Sequence, residues 1–118
     1  MKIFLTLLLT ALGFIILYFA YYILIPTLKL MVIIYKSGSS GFYVILGANT
    51  NSNIITYTFK HGNKSTYVEA VLPNDYVRTR EYMWDLAEIT QKTIKKMREV
   101  IKSNPDVAAY QLTFGEID

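Results

Sequence analysis

The sequence contains no cysteine and only one histidine, His61. Without cysteine there is no disulfide framework, thiolate zinc site, iron–sulfur cluster or lipoprotein anchor. With one histidine, a transition-metal site would need carboxylates, and a nucleophile would lack the usual base. His61 precedes Gly62 and reads as a solvated turn residue. Ser39 and Ser40 lie between Gly38 and Gly41, but they form neither a G-x-S-x-G elbow nor a phosphate loop ending in GKS or GKT. Asp85 and Glu88 are three residues apart at the start of a helical pattern, where the helix dipole favours acids. No catalytic group, cofactor or metal is expected. Asn63-Lys64-Ser65 fits a glycosylation sequon, which matters only in a eukaryotic secretory lumen.

Acid is missing from the whole first half. Residues 1–59 carry Lys2, Lys29 and Lys36 and neither Asp nor Glu. Residues 60–118 carry nine bases and all nine acids, so that half is neutral. The pI of 9.1 therefore reflects three lysines around an apolar N-terminus. A nucleic-acid-binding domain would carry its excess charge on the folded part, so no nucleic-acid partner is expected.

What the first half does contain is a long hydrophobic run. Ile3 to Ile25 are uncharged, and as a helix they would extend about 35 Å, against about 30 Å for a hydrocarbon core. Tyr18, Tyr21 and Tyr22 cluster at one end as an interfacial belt, with Lys2 and Lys29 at the two borders. Pro26 reads as the helix stop. Cleavage after Ala11-Leu12-Gly13 would leave Phe14 to Ile25 apolar on the mature end, so an uncleaved signal anchor is favoured over a signal peptide. The first expected partner is thus the lipid bilayer. Lys2 and the α-amine on one side balance Lys29 and Lys36 on the other. The short basic tail favours an N-in, single-pass arrangement with the C-terminal domain outside the cytoplasm.

At 100° per residue, Thr6, Thr10, Gly13, Leu17 and Ala20 fall within a sector of about 80°. Four of the five small residues of the span lie there, Ala11 being the exception. Such a stripe suits packing against another membrane protein's helix or a second copy of its own.

Residues 1–26 are expected to form the anchor and residues 27–118 an extramembrane α+β domain. Leu28 to Tyr35 either prolongs the membrane helix or forms a strand, and its β-branched run favours the strand. Lys36 to Gly41 reads as a hairpin loop, Phe42 to Leu46 as a strand and Ala48 to Asn53 as a polar turn. Ile54 to Lys60 alternates, with Ile55, Tyr57 and Phe59 on one face. His61 to Lys64 makes a tight turn, and Thr66 to Leu72 is a strand closed by Pro73-Asn74-Asp75. From Arg78 to Ser103 the apolar period becomes helical, and Val107 to Phe114 is a final strand. The expected fold is a two-layer domain: an antiparallel β-meander, one long amphipathic helix and a last strand. One sheet face, including Thr56, Thr58 and Tyr67, is left without a cover.

Two residues on the long helix stand out. Trp84 lies on the polar face beside Glu88, Gln91 and Lys95, where an exposed tryptophan is a favoured contact. It either meets a partner, together with Lys95, or folds back on its own domain. The bases Lys92, Lys95, Lys96, Arg98 and Lys102 spread around the wheel and read as a solvated face. The leading functional expectation is a single-pass binding protein, an accessory or assembly subunit of a membrane or cell-envelope complex. The alternatives are a membrane-tethered inhibitor or immunity-type protein and, behind both, a membrane-anchored enzyme.

Overall fold

The computed structural model describes residues 1–39, 41–47, 53–73 and 79–113. The elements are helix α1 (Lys2–Phe19), one π-helical turn (Ala20–Leu24), helix α2 (Ile25–Ser39), strands β1 (Phe42–Leu46), β2 (Ile54–His61) and β3 (Lys64–Val71), helix α3 (Tyr82–Ser103) and strand β4 (Ala109–Thr113). It is an α+β fold. The sheet order is β1-β2-β3-β4. The first three strands are an antiparallel meander, and β4 lies parallel to β3 across the α3 connection.

The sheet follows from its alternation. Tyr57, Phe59, Val68, Ala70 and Leu112 point inward and are at most 1% exposed. Their neighbours Tyr43, Ile45 and Tyr67 point to the uncovered face. Gly62 takes φ +62° at the first position of the two-residue loop between His61 and Lys64, as a type II′ hairpin requires. His61 ends β2 rather than standing free in the turn: its Nε2 lies 3.0 Å from Thr66 Oγ1. Thr66 in turn donates to the Val107 carbonyl at 2.7 Å, tying the hairpin to the segment before β4. Lys64 pairs with Asp106 beside it, and the ammonium holds that carboxyl below the ordinary aspartate range.

The N-terminal helix differs from the expectation. Pro26 does not stop it, and residues 28–35 are helix rather than strand. The reason is a buried stripe: Pro26, Leu30 and Ser37 are buried, with Ile33 and Ile34 half-buried beside them. That i, i+3, i+4 spacing is helical, and the β-branched run yields to it because the sheet offers a surface to cover. The helix also absorbs Lys36 to Ser39, expected as hairpin loop, and Gly41, at φ +94°, makes the exit. Two helices, α2 and α3, therefore cover the inner sheet face where one was expected. The 26/27 boundary falls inside an unbroken helix of 38 residues.

Smaller differences lie at element ends. The third strand begins two residues early, at Lys64, and α3 begins at Tyr82 rather than Arg78. The last strand is shorter, Ala109–Thr113. The polar turn over 48–52, Asn74-Asp75 and Phe114 lie outside the described residues.

One polar cluster sits inside the core. Tyr57 Oη is 2.8 Å from Thr90 Oγ1, and burial pushes the phenol far above its ordinary range while the Thr90 bond opposes the shift. Thr93, one turn along α3, is buried near the same phenol, and among the described residues its hydroxyl makes no hydrogen bond of full geometry. Replacing both partners of a buried polar contact is cheap, but leaving one group unpaired costs about 1–3 kcal/mol. Thr93→Val should therefore keep or raise the urea midpoint. A fall as large as that of Tyr57→Phe would show that the Thr93 hydroxyl is engaged.

Candidate functional site at the base of the apolar helix

The chain divides at the π turn. Before it, α1 has no buried residue. After it, α2 belongs to the core. The helix as a whole is long and apolar enough to cross a membrane.

The geometry of this junction follows from Pro26. At the π turn the Ile25 N–H donates to the Ala20 carbonyl, five residues back. The next donor in that register would serve the Tyr21 carbonyl, but residue 26 is proline and has no N–H. The Trp84 indole takes the place: Nε1 donates to the Tyr21 carbonyl at 2.8 Å. A proline inside an apolar helix is tolerated when a neighbour satisfies the freed carbonyl, and here α3 supplies the neighbour. Aromatic contacts complete the latch. The Tyr21 and Trp84 ring centroids are 5.6 Å apart, Tyr18 and Tyr22 4.6 Å, and Tyr21 and Tyr22 4.8 Å edge to face. Lys29 Nζ lies 5.8 Å from the Trp84 ring, and the Arg80 guanidinium 5.5 Å from the Tyr22 ring. Cations over aromatic faces contribute about 0.5–1 kcal/mol each when exposed.

The expected site residues fall into three places. Lys29, Tyr18, Tyr21, Tyr22 and Trp84 come together at the junction. Trp84 thus makes its contact within its own chain, with a segment 63 residues earlier. Thr6, Thr10, Gly13, Leu17 and Ala20 lie along α1, away from that cluster. Thr6 donates to the Lys2 carbonyl at 2.9 Å and Thr10 to the Thr6 carbonyl at 2.8 Å, so both hydroxyls are satisfied in their own helix. A side chain built on Gly13 would meet nothing within 4 Å, so the stripe is open to a neighbour. Lys2 stands at the far end of α1. Lys95 lies three turns along α3 from Trp84.

Lys95 lines a groove of about 820 Å³ between α2 and α3. Leu28 and Val32 are among its apolar residues, and Lys29, Lys36, Lys95 and Arg98 are its charged ones. No acid is among the described residues that line it. Two acids of α3 are engaged or placed elsewhere: Glu88 pairs with Lys92 at 3.2 Å, and Glu99 lines a separate hollow with Val107 and Tyr110. Sequence reasoning missed this groove because it favours a strand over a continued helix for residues 28–35. It also passed over Arg80 and reads Arg98 as part of a solvated face. The available signal was the line Trp84, Gln91, Lys95 and Arg98, spaced by seven, eleven and fourteen residues along one helix face. Among the described residues, no group of three or more His, Asp or Glu could hold a metal ion.

No protein family, curated protein or solved structure matches the chain.

Proposed function

We propose that the chain is a single-pass membrane-anchored binding protein, an accessory or assembly subunit of a membrane or cell-envelope complex. The observation that carries this reading is the continuity of the apolar helix with the folded core, locked at Tyr21 by Trp84. A flexible tether would be enough for an inhibitor that captures one soluble partner. A helix built into the core instead holds the domain at a fixed height and angle on the bilayer. That arrangement suits contact with neighbours in the same membrane, through the α1 stripe and the surface around Lys95. The domain lies outside the cytoplasm, with the N-terminus inside.

The test is a mild-detergent purification of the full-length chain beside a variant in which residues 3–19 are replaced by an unrelated Leu/Ala membrane segment. An assembly subunit loses its co-purifying membrane partner in the swapped variant. A tethered inhibitor keeps a soluble one, and that outcome contradicts the proposal. Asn63→Cys adds the sole cysteine at an exposed turn, so an impermeant maleimide reads the orientation on intact cells.

A further inference from the structure

The groove between α2 and α3 combines two features that select an occupant. Leu28 and Val32 give it an apolar surface, and both are about half exposed. Lys29, Lys36 and Lys95 flank that surface with positive charge, and no acid is among its described lining residues. An apolar strip flanked by charge of one sign is how a helix-in-groove site reads. The groove therefore suits a helix with an apolar face and acidic flanks.

Its position says where that helix comes from. A π turn adds one residue to the helix, which delays every later position by about 100°. Without the insertion, Ile25, Val32 and Lys36 would lie roughly 100° around from the stripe of Thr6 and Gly13. With it, Ile25, Lys29, Val32 and Lys36 come into the same sector as the stripe. The groove thus continues the small-residue stripe of α1, and a single straight partner can follow both.

We propose that the groove receives the juxtamembrane end of a second, different membrane-spanning helix, one bearing Asp or Glu in the turns that follow its apolar segment. This inference rests on the reading of the chain as a membrane-anchored subunit. A second copy of this chain is disfavoured as occupant, because residues 1–59 contain no acid and would set lysine against lysine. An anionic lipid fits only part of the groove. Lys36 lies fourteen residues past Tyr22, or about 21 Å along the helix, whereas the headgroup layer on each side is about 5–8 Å thick. A phosphate can meet Lys29, but Lys36 stands above it.

Trp84 is the only tryptophan and lies at the membrane end of the groove, so its emission reports occupancy. The experiment places the full-length chain in phosphatidylcholine nanodiscs and adds designed tryptophan-free peptides. Each has a 20-residue Leu/Ala span followed by three helical turns with Glu, Gln or Lys at i, i+3 and i+7. The Glu peptide should bind at least tenfold tighter than the Gln peptide. Lys36→Glu and Lys95→Glu should each weaken the Glu peptide at least tenfold and strengthen the Lys peptide. Equal binding of the Glu and Gln peptides, or indifference to Lys36→Glu, overturns the proposal. So does a full emission change on substituting phosphatidylglycerol discs without peptide, or, read per chain, on loading two chains per disc in place of one. If the Glu peptide fails while the full-length chain still co-purifies with a stoichiometric membrane partner, the groove proposal falls and the assembly reading stands. If neither occurs, both fall.

Discussion

A fragment spanning Gly41 to Asp118 should fail to fold, while one spanning Thr27 to Asp118 should unfold cooperatively. The two differ by residues 27–40, which are all of α2 but its first two residues, and Ser40. That helix places Leu30 in the core at 6% exposure, with Ser37 buried and Ile33 and Ile34 packed beside it. Truncating a single buried Leu or Ile to Ala costs about 2–5 kcal/mol. Losing several at once exceeds what a domain with about 5–15 kcal/mol of stability can bear. The loss also strips one side of α3 and uncovers the inner face of β1, including Val44. Circular dichroism during heating separates the outcomes. The longer fragment should give a sigmoidal transition, and the shorter should show none or aggregate. A cooperative transition in the shorter fragment, at a similar midpoint, would show that α2 is only an appended stalk.

Trp84→Phe should destabilise the full-length protein in micelles by about 0.5–1.5 kcal/mol, the net contribution of one hydrogen bond at an exposed site. The change keeps an aromatic ring but removes the donor to Tyr21. The same substitution should cost less in a Pro26→Ala background. Alanine restores the N–H that proline lacks, and in the π register that N–H serves the same carbonyl. The double-mutant cycle should therefore show a coupling of about 1 kcal/mol, within the range for residues sharing a partner. The cycle also subtracts the smaller ring of phenylalanine, which is lost equally in both backgrounds. Identical penalties in the two backgrounds would mean that Trp84 contributes by packing alone. Denaturant midpoints followed by far-ultraviolet circular dichroism are sufficient, and they avoid dependence on the fluorescence of the removed tryptophan.

The limits of sequence reading here have identifiable physical causes. The meander was legible because Ile54 to Lys60 alternates with period two and Gly62 sits where the hairpin demands a positive φ. The long helix was legible because its apolar residues share one face from Tyr82 to Ile101. Residues 28–35 were not, since Val32, Ile33 and Ile34 satisfy a strand as well as a helix. What decides between them is a sheet surface formed by residues later in the chain. The partner of Trp84 was hidden for a related reason. Its acceptor is a backbone carbonyl, which has no residue signature, and it is orphaned only because a π turn and a proline coincide. Pro26 was the visible clue, but read locally it signals a stop. Its missing N–H becomes informative only once the helix is known to continue. The groove shares that cause, because it exists only when α2 is a helix lying beside α3.

If Trp84 and the continuous helix lock the apolar segment to the folded domain, the two move as one rigid body. The absence of native cysteine makes paired spin labels straightforward. Labels at Leu12→Cys on α1 and Glu99→Cys on α3 are both at exposed positions. Pulsed electron–electron resonance on the full-length protein in nanodiscs should give one narrow distance distribution, which broadens on Trp84→Phe. A broad or multimodal distribution in the otherwise unaltered protein would place a hinge at Pro26 and contradict the account.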